Sequence, residues 1–408
     1  MEESTMSPIN PLNPGLPVDG HLLIVGSGLA GYHVARGARL NGHVGAITVL
    51  GDELHPAYDR PALSKAFLSG AAAFEHLVLD DPENPLDVTW AGGSAAVHLS
   101  SEPLGVETAD GTFHGADSIV LATGAQACRL PISGQGTFVL RNVDDAIALR
   151  GRAVESQRVA IVGGGFLALE AAATCVERGA AEVTVAAGEH NPGAARLGAP
   201  VGEAVRALHE RRDVAFTAPA RAAEVNDVPG GQELVLADGQ TVEADIVICA
   251  IGATPSTAWL RDGILSLDPV TGAILCDDTG FTGMPGIWAA GDCAQWASQA
   301  SGLRPVGHWQ EAVEQAGILA ASLTGIPPAP FQEPYFWSEQ YEVRIQGAGR
   351  IGLADEVRVV DGSIETNDLL VSYLREGAEV GILGFNRLRE VKRWRKQRQV
   401  RTEPALVA

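Results

Sequence analysis

The chain of 408 residues contains no run of 18 apolar residues, so no stretch reads as a membrane-spanning helix. Basic residues are scarce: 29 Lys and Arg stand against 50 Asp and Glu, a formal charge of −21, which argues against a nucleic-acid partner. The five cysteines, at 128, 175, 249, 276 and 293, never form C-x-x-C, which excludes a redox dithiol of the usual spacing. They also lack the spacings that hold an iron–sulfur cluster, so any such cluster belongs to a partner. Most lie in apolar runs and read as buried thiols. The opening "MEESTMSPINPLNPGLPVDG" is acidic and proline-rich and lacks the basic and apolar blocks of a signal peptide. Residues 1–20 are therefore expected to be a mobile arm, and the cytoplasm is the expected location.

What is present is a repeat. With 46% hydrophobic and 19% charged residues the composition is that of a globular protein, and the length implies two or three domains. "HLLIVGSGLAGYHVARGARLNG" (21–42) reads as strand, glycine turn and helix, and "RVAIVGGGFLALEAAATCVERG" (158–179) repeats it 137 residues later. "ADGTFHGADSIVLATGA" (109–125) and "ADGQTVEADIVICAIGA" (237–253) also match, each an Asp-Gly hairpin signal followed by an apolar strand. In the first copy Gly26 permits a tight turn, Gly28 lets the backbone approach a pyrophosphate, and Gly31 lets helix and strand pack. Leu29 and Ala30 open the helix whose N–H groups would face the phosphates. The second copy has Gly163 and Gly165, then Phe166 and Leu167, with Ala168 in the third glycine's place. One such turn is a weak signal; two, each with its matching downstream strand, are a strong one.

Two dinucleotide folds in one chain point to a flavoprotein that also binds a nicotinamide nucleotide. The expected fold is α/β: two Rossmann-like domains of the glutathione-reductase-like type, plus an α+β C-terminal domain. FAD is assigned to 21–128 and 256–328, NAD(P)H to 129–255, and 329–408 forms the C-terminal domain with a basic tail. Gly291 and Asp292 in "GIWAAGDCAQW" mark the return to the FAD domain. The Asp292 carboxylate suits ribityl hydroxyls or a helix N-cap.

"PAYDRPALSKAFLSG" (56–70) resembles a segment of the ferredoxin reductases that serve bacterial aromatic-ring dioxygenases and some cytochromes P450. The resemblance continues through "LATGA" (121–125), "AIGATPS" (250–256), "AAGDC" (289–293) and "PYFWSEQYEVRIQGAG" (334–349), and covers roughly residues 20–390. It implies FAD, NADH or NADPH as donor, and a small [2Fe–2S] ferredoxin that passes electrons to a terminal oxygenase or P450. Hydride would move from nicotinamide to flavin, and single electrons from flavin to the ferredoxin. The resemblance implies that Lys65 lies near the flavin and pairs with Glu170, that Arg60 contacts the flavin nucleotide, and that Trp337 lies near the isoalloxazine. Asp52, Glu53, Ala122, Thr123, Gly124, Arg141 and Trp309 are further FAD candidates; Ile251 and Gly252 are further nicotinamide candidates. A plain reading of Lys65 is a surface charge. Glu170, within the apolar "FLALEAAATCV", needs a partner or ligand in any reading. No metal ligand set is expected, and the chain is expected to be a monomer or weak homodimer.

The pattern breaks in four places. Ala62 replaces a proline, Ala127-Cys128 replaces Pro-Arg with Arg129 one place late, and Gly307 replaces an acid. The fourth break is Ala187, where the family has a ribose-binding Glu. Laying "ITVLGDE" (47–53) on "VTVAAGE" (183–189) puts Gly51 on Ala187 and Glu53 on Glu189. Glu189 then replaces the missing acid from two residues later. Alternatively, its loss widens choice toward a 2′-phosphate, with His190 and Arg196 as candidate cations. Two other functions keep the fold: a flavoenzyme acting directly on a small molecule, and a redox-sensing flavoprotein similar to apoptosis-inducing factor. The segment 386–401 carries eight Lys and Arg against one Glu. It reads as a solvated helix face or as a docking patch for an acidic ferredoxin, with Arg393 and Arg395 the test residues.

Overall fold

A computed structural model describes residues 15–130, 136–152, 154–155, 157–260, 263–298, 302–305 and 307–402. Residues 1–14 of the expected arm lie outside this set. Residues 15–20 do not form a free arm: Leu16 is buried and its N–H donates to the Leu323 carbonyl at 2.9 Å. The chain divides into two units, the first formed by Met1–Asp59, Val78–Gln126 and Thr254–Phe331, the second by Arg60–Leu77, Ala127–Ala253 and Gln332–Ala408.

In the first unit five parallel strands run in the order Thr89–Ala91, Ile47–Leu50, Leu22–Val25, Ser118–Leu121, Ile287–Ala289. In the second, five parallel strands run Val214–Phe216, Glu182–Ala186, Arg158–Val162, Ile246–Cys249, Thr137–Val139. The first four strands of the two orders correspond position by position, so the sequence repeat is a repeat of topology there; the fifth strand is the last of its sheet in sequence in the first unit and the first in the second. "LLIV", "SIVL" and "IVIC" are buried at every position, as strands covered on both faces must be. The Asp-Gly pairs turn the hairpins expected of them. Leu104–Thr108 pairs antiparallel with Phe113–Gly115, and Gly231–Leu236 with Thr241–Ala244.

The second unit also holds a five-stranded antiparallel sheet in the order Tyr335–Gln340, Val343–Gly349, Ala378–Phe385, Asp368–Arg375, Glu356–Ser363. Phe336, Ile345, Tyr373 and Phe385 of this sheet share one core with Leu169, Val201 and Leu208 from the helices Phe166–Glu177 and Ala199–Glu210. This sheet thus buries its apolar face against the helix that carries Glu170. Val391 and Trp394 pack the helix Leu388–Thr402 onto Ala348 and Ile382.

Candidate active site

The first glycine turn is sterically determined. The Gly26 N–H donates to the Leu50 carbonyl at 2.8 Å. Its φ is +120°, and a Cβ there would lie 2.1 Å from the Ala122 carbonyl oxygen. A Cβ on Gly31 would lie 1.9 Å from the Gly26 carbonyl oxygen. Gly28 is the N-cap of Leu29–Leu40, and no side chain caps that end. A helix end of this kind suits an anionic ligand, with the Leu29 and Ala30 N–H groups in its first turn. Beside this turn lies a cavity of about 240 Å³, lined by Ser27, Val49, Leu54, His55, Trp90 and neighbouring residues. It suits a planar base next to a pyrophosphate, so the residues fit one end of FAD.

Other first-unit candidates gather at the same sheet edge. Ala122, Thr123 and Gly124 follow Ser118–Leu121, and Thr123 Oγ1 donates to the Ser256 carbonyl at 2.9 Å. Gly291, at φ +80°, donates its N–H to Gln315 Oε1 at 2.8 Å, and a Cβ on it would lie 2.9 Å from Ala30 Cβ. That packing sets the Gly291-Asp292 turn beside the glycine-turn helix, with Asp292 half-buried. Trp309 opens the helix Trp309–Leu323, and its indole N–H donates to Asp59 Oδ1 at 2.8 Å. Asp59 escaped the sequence reading, although it stands inside the diagnostic "YDRPALSK". Asp52 is exposed, and Glu53 Oε2 accepts from the Tyr58 hydroxyl at 2.7 Å.

The second turn copies the first. The Gly163 N–H donates to the Ala186 carbonyl at 3.0 Å, its φ is +129°, and a Cβ would lie 2.3 Å from the Ala250 oxygen. Gly165 caps Phe166–Glu177 without a side-chain partner, and nothing lies within 4 Å of where its Cβ would stand. Ala168 is fully buried in the third place, while Leu167 and Ile251 are each 39% exposed near the turn. Phe166 packs instead on Phe336, with ring centroids 5.7 Å apart. Gly252, at φ +106°, accepts the Cys128 N–H on its carbonyl at 2.9 Å.

The matched bonds of Gly26 to Leu50 and Gly163 to Ala186 place Gly51 and Ala187 at equivalent positions. Ala187 is buried, and Glu189 is already engaged. Glu189 Oε1 accepts the Gly193 N–H at 2.7 Å and Oε2 the Ala195 N–H at 2.9 Å. It caps the short helix Ala194–Leu197. His190 and Arg196 are exposed close by.

Within the second unit Lys65 and Glu170 come together as expected. Lys65 Nζ donates to Glu170 Oε2 at 2.6 Å and to the Pro61 carbonyl at 3.0 Å. Glu170 is 6% exposed and accepts two further bonds, from Ser64 Oγ to Oε2 and from Ser338 Oγ to Oε1, each at 2.7 Å. Thr174, one turn along the same helix, donates to the Ser64 carbonyl at 2.7 Å and holds the segment Arg60–Ser64 in place. Arg60 Nη1 donates to the Arg141 carbonyl at 3.0 Å. Trp337 lies between the buried Phe336 and Ser338 and so projects from the other face of the strand than Glu170's partner Ser338.

All five cysteines are free thiols; burial pushes Cys175 up to about 12 and Cys249 up to about 11. Both stay protonated and inert at neutral pH. Among the described residues no cluster of His, Cys, Asp or Glu has a metal-binding arrangement, and no helix is long and apolar enough to cross a membrane.

Burial depresses His209 to about 4, helped by the Arg212 guanidinium and opposed by its bond to Gln340. Between that value and the ordinary 6.5 the unfolded chain binds a proton that the folded chain refuses. The stability is thus fully present above pH 6.5 and is lost as the pH falls toward 4, by about 3 kcal/mol. Urea midpoints between pH 7.5 and 4.5 should therefore fall more steeply for the native chain than for His209→Gln.

Comparison with known proteins agrees with this geometry. Residues 20–316 match the family model described as pyridine nucleotide-disulphide oxidoreductase, and 335–408 match the reductase C-terminal model. Rhodocoxin reductase of Rhodococcus erythropolis is 32% identical over 90% of this chain and 87% of its own. The biphenyl dioxygenase system ferredoxin–NAD(+) reductase component of Paraburkholderia xenovorans (strain LB400) is 32% identical over 90% of each. The covalent putidaredoxin reductase–putidaredoxin complex matches with a TM-score of 0.87 at 29% identity, over 92% of each chain. The chain belongs to the pyridine nucleotide-disulphide oxidoreductase family, among relatives that include rhodocoxin reductase and a dioxygenase-system ferredoxin–NAD(+) reductase component.

Proposed function

We propose that this protein is an FAD-dependent NADH:ferredoxin reductase whose electrons pass to a [2Fe–2S] ferredoxin and on to a Rieske oxygenase or cytochrome P450. The observation that carries the reading is the doubled cradle: two equivalent glycine turns, each opening onto a helix end without a side-chain cap. One serves each nucleotide. No two cysteines form C-x-x-C and all five are free, which favours an acceptor outside the protein over an internal dithiol. The names of the relatives support the same partner class. Cytoplasmic location and a monomer or weak homodimer belong to this reading.

The proposed FAD site uses Gly26, Gly28, Leu29, Ala30 and Gly31 for the pyrophosphate, with Asp52 and Glu53 toward the adenosine end. Ala122, Thr123, Gly124, Gly291, Asp292 and Trp309 hold the rest of the cofactor. FAD, when bound, supplies two-electron acceptance from nicotinamide and one-electron release to an iron–sulfur protein. Lys65 places a positive charge where reduction adds negative charge, and Glu170 fixes its position. Trp337 supplies an aromatic surface. Gly163, Gly165, Phe166, Leu167, Ile251 and Gly252 receive the nicotinamide nucleotide. Residues 21–128 with 256–328 serve FAD, 129–255 serve the nicotinamide, and 329–408 complete the reductase. Rapid anaerobic mixing with NADH should bleach the flavin; a flavin left oxidised by both NADH and NADPH would end the reading.

With Ala187 at the ribose position and Glu189 capping its own loop, NADH discrimination should be weak. A carboxylate bond to a hydroxyl is worth about 1.5–3 kcal/mol, so its absence removes about 10–100-fold of preference. The kcat/KM values for NADH and NADPH should lie within about tenfold of each other, and Glu189→Ala should shift both alike. A selective loss of NADH activity in Glu189→Ala would instead identify Glu189 as the ribose ligand.

Arg389, Lys392, Arg393 and Lys396 form an exposed stripe at helical spacing on Leu388–Thr402. Arg395 does not belong to it, because its guanidinium stacks over Tyr335 at 4.4 Å. Reversing Lys392 and Arg393 to Glu should raise the ferredoxin KM about 3–10-fold at low salt and flatten its salt dependence. An unchanged KM would remove this face from the docking surface.

A further inference from the structure

The bonds on Glu170 continue beyond Ser338. Gln340 Nε2 donates to Ser338 Oγ at 3.1 Å, and Gln340 Oε1 lies 3.0 Å from His209 Nε2. His209 Nδ1 lies 3.1 Å from the Tyr341 hydroxyl. Every polar side chain in this run except Tyr341 and Lys65 is buried, and His209 is wholly so. The contacts admit one direction. A carboxylate only accepts, so the Ser338 proton goes to Glu170 and its oxygen must accept from the Gln340 amide. That turns Gln340 Oε1 toward His209, which must carry its proton on Nε2, leaving Nδ1 to accept from Tyr341. Reversing the run would set two acceptor oxygens against each other at the 2.7 Å Ser338–Glu170 contact. An imidazolium would also fit Gln340 and Tyr341, but burial and the nearby Arg212 keep the ring neutral above about pH 4.

The far end is built at a conformational cost. Tyr341 has φ +56°, in the tight turn between Tyr335–Gln340 and Val343–Gly349, where Gly or Asn is the usual occupant. Its ring lies 5.1 Å from that of His209, and the Arg212 guanidinium stands over the Tyr341 ring, 4.2 Å from its centroid. Arg212 is paired in turn with Glu342. The bond to His209 and the packing against Arg212 hold this bulky side chain in the left-handed turn.

We propose that His209, oriented by Tyr341 and acting through Gln340 and Ser338, is a positioning residue that sets the direction of the Glu170 carboxylate and hence the place of the Lys65 ammonium. Donors aligned in series polarise one another, so the end at Glu170 depends on the tautomer at His209. The inference rests on the reading above, in which Lys65 and Glu170 serve the flavin.

The test uses the FAD-loaded protein with ¹⁵N-labelled histidine. In the native chain His209 should show the Nε2–H tautomer at pH 7, and Tyr341→Phe should weaken that preference. His209→Phe should slow flavin reduction at saturating NADH about tenfold while moving the NADH KM less than about twofold. His209→Gln, which keeps an N–H donor for Gln340, should recover most of the rate. Native His209 found as the Nδ1–H tautomer would overturn the proposal, as would a folded His209→Phe with the native reduction rate. If His209→Phe does not fold, Tyr341→Phe decides: native tautomer and native rate together would overturn it. A native flavin that NADH cannot reduce would sink the reductase reading alone, because the tautomer measurement still decides the chain.

Discussion

Glu170→Ala should destabilise the second unit by about 3 kcal/mol and abolish most flavin reduction by NADH. The substitution removes one carboxylate but strands three donors: the Lys65 ammonium and the hydroxyls of Ser64 and Ser338. Breaking a buried ion pair costs about 3–5 kcal/mol because the surviving charge stays desolvated. Lys65 keeps 17% of its side chain exposed, so water screens part of that charge and the lower end applies. Urea unfolding at pH 7.5 measures the first effect, and rapid mixing with NADH the second. A loss below about 1 kcal/mol would mean that the pair behaves like a surface salt bridge.

Gly31→Ala should yield a protein that purifies without FAD. The added methyl group would meet the Gly26 carbonyl oxygen at 1.9 Å, and Gly26 cannot retreat because it abuts the Ala122 carbonyl. Overpacking of this kind costs about 1–3 kcal/mol or more, and here the relief must come from the turn that receives the pyrophosphate. Gly165→Ala, at the second glycine of the other turn, is the control for an added methyl without a clash. It has open space at the same kind of turn, so it should keep FAD and the fold and raise only the nicotinamide KM. Stoichiometric FAD in Gly31→Ala, read from the visible spectrum of the purified protein, would contradict the sterics.

Much of this was legible in sequence because it is local. The glycine turns, the Asp-Gly hairpins and the apolar strands each occupy a few consecutive residues, and their repetition 137 residues apart revealed the doubled topology. Lys65 with Glu170 was accessible only through the resemblance; nothing in their spacing pairs residues 105 apart. Ser338, Gln340 and His209 left no signal, since a buried hydroxyl or amide in a strand looks like any polar position. Tyr341 was equally silent, because its left-handed backbone shows only in three dimensions. Glu189 illustrates the opposite limit. Alignment placed it where an acid was wanted, but a carboxylate three residues past a strand end also caps the turn that follows, and here it does. The core that the C-terminal sheet shares with Leu169 and Leu208 was equally illegible, because it joins distant parts of the chain.

The central claim is that electrons taken from a nicotinamide leave singly for an iron–sulfur protein. The most direct measurement is NADH-driven reduction of cytochrome c with and without [2Fe–2S] ferredoxins of the putidaredoxin type. The account predicts reduction that rises and saturates with ferredoxin and is negligible without it. Equal rates in its absence, or NADH turnover that needs only a small organic acceptor, would contradict the account.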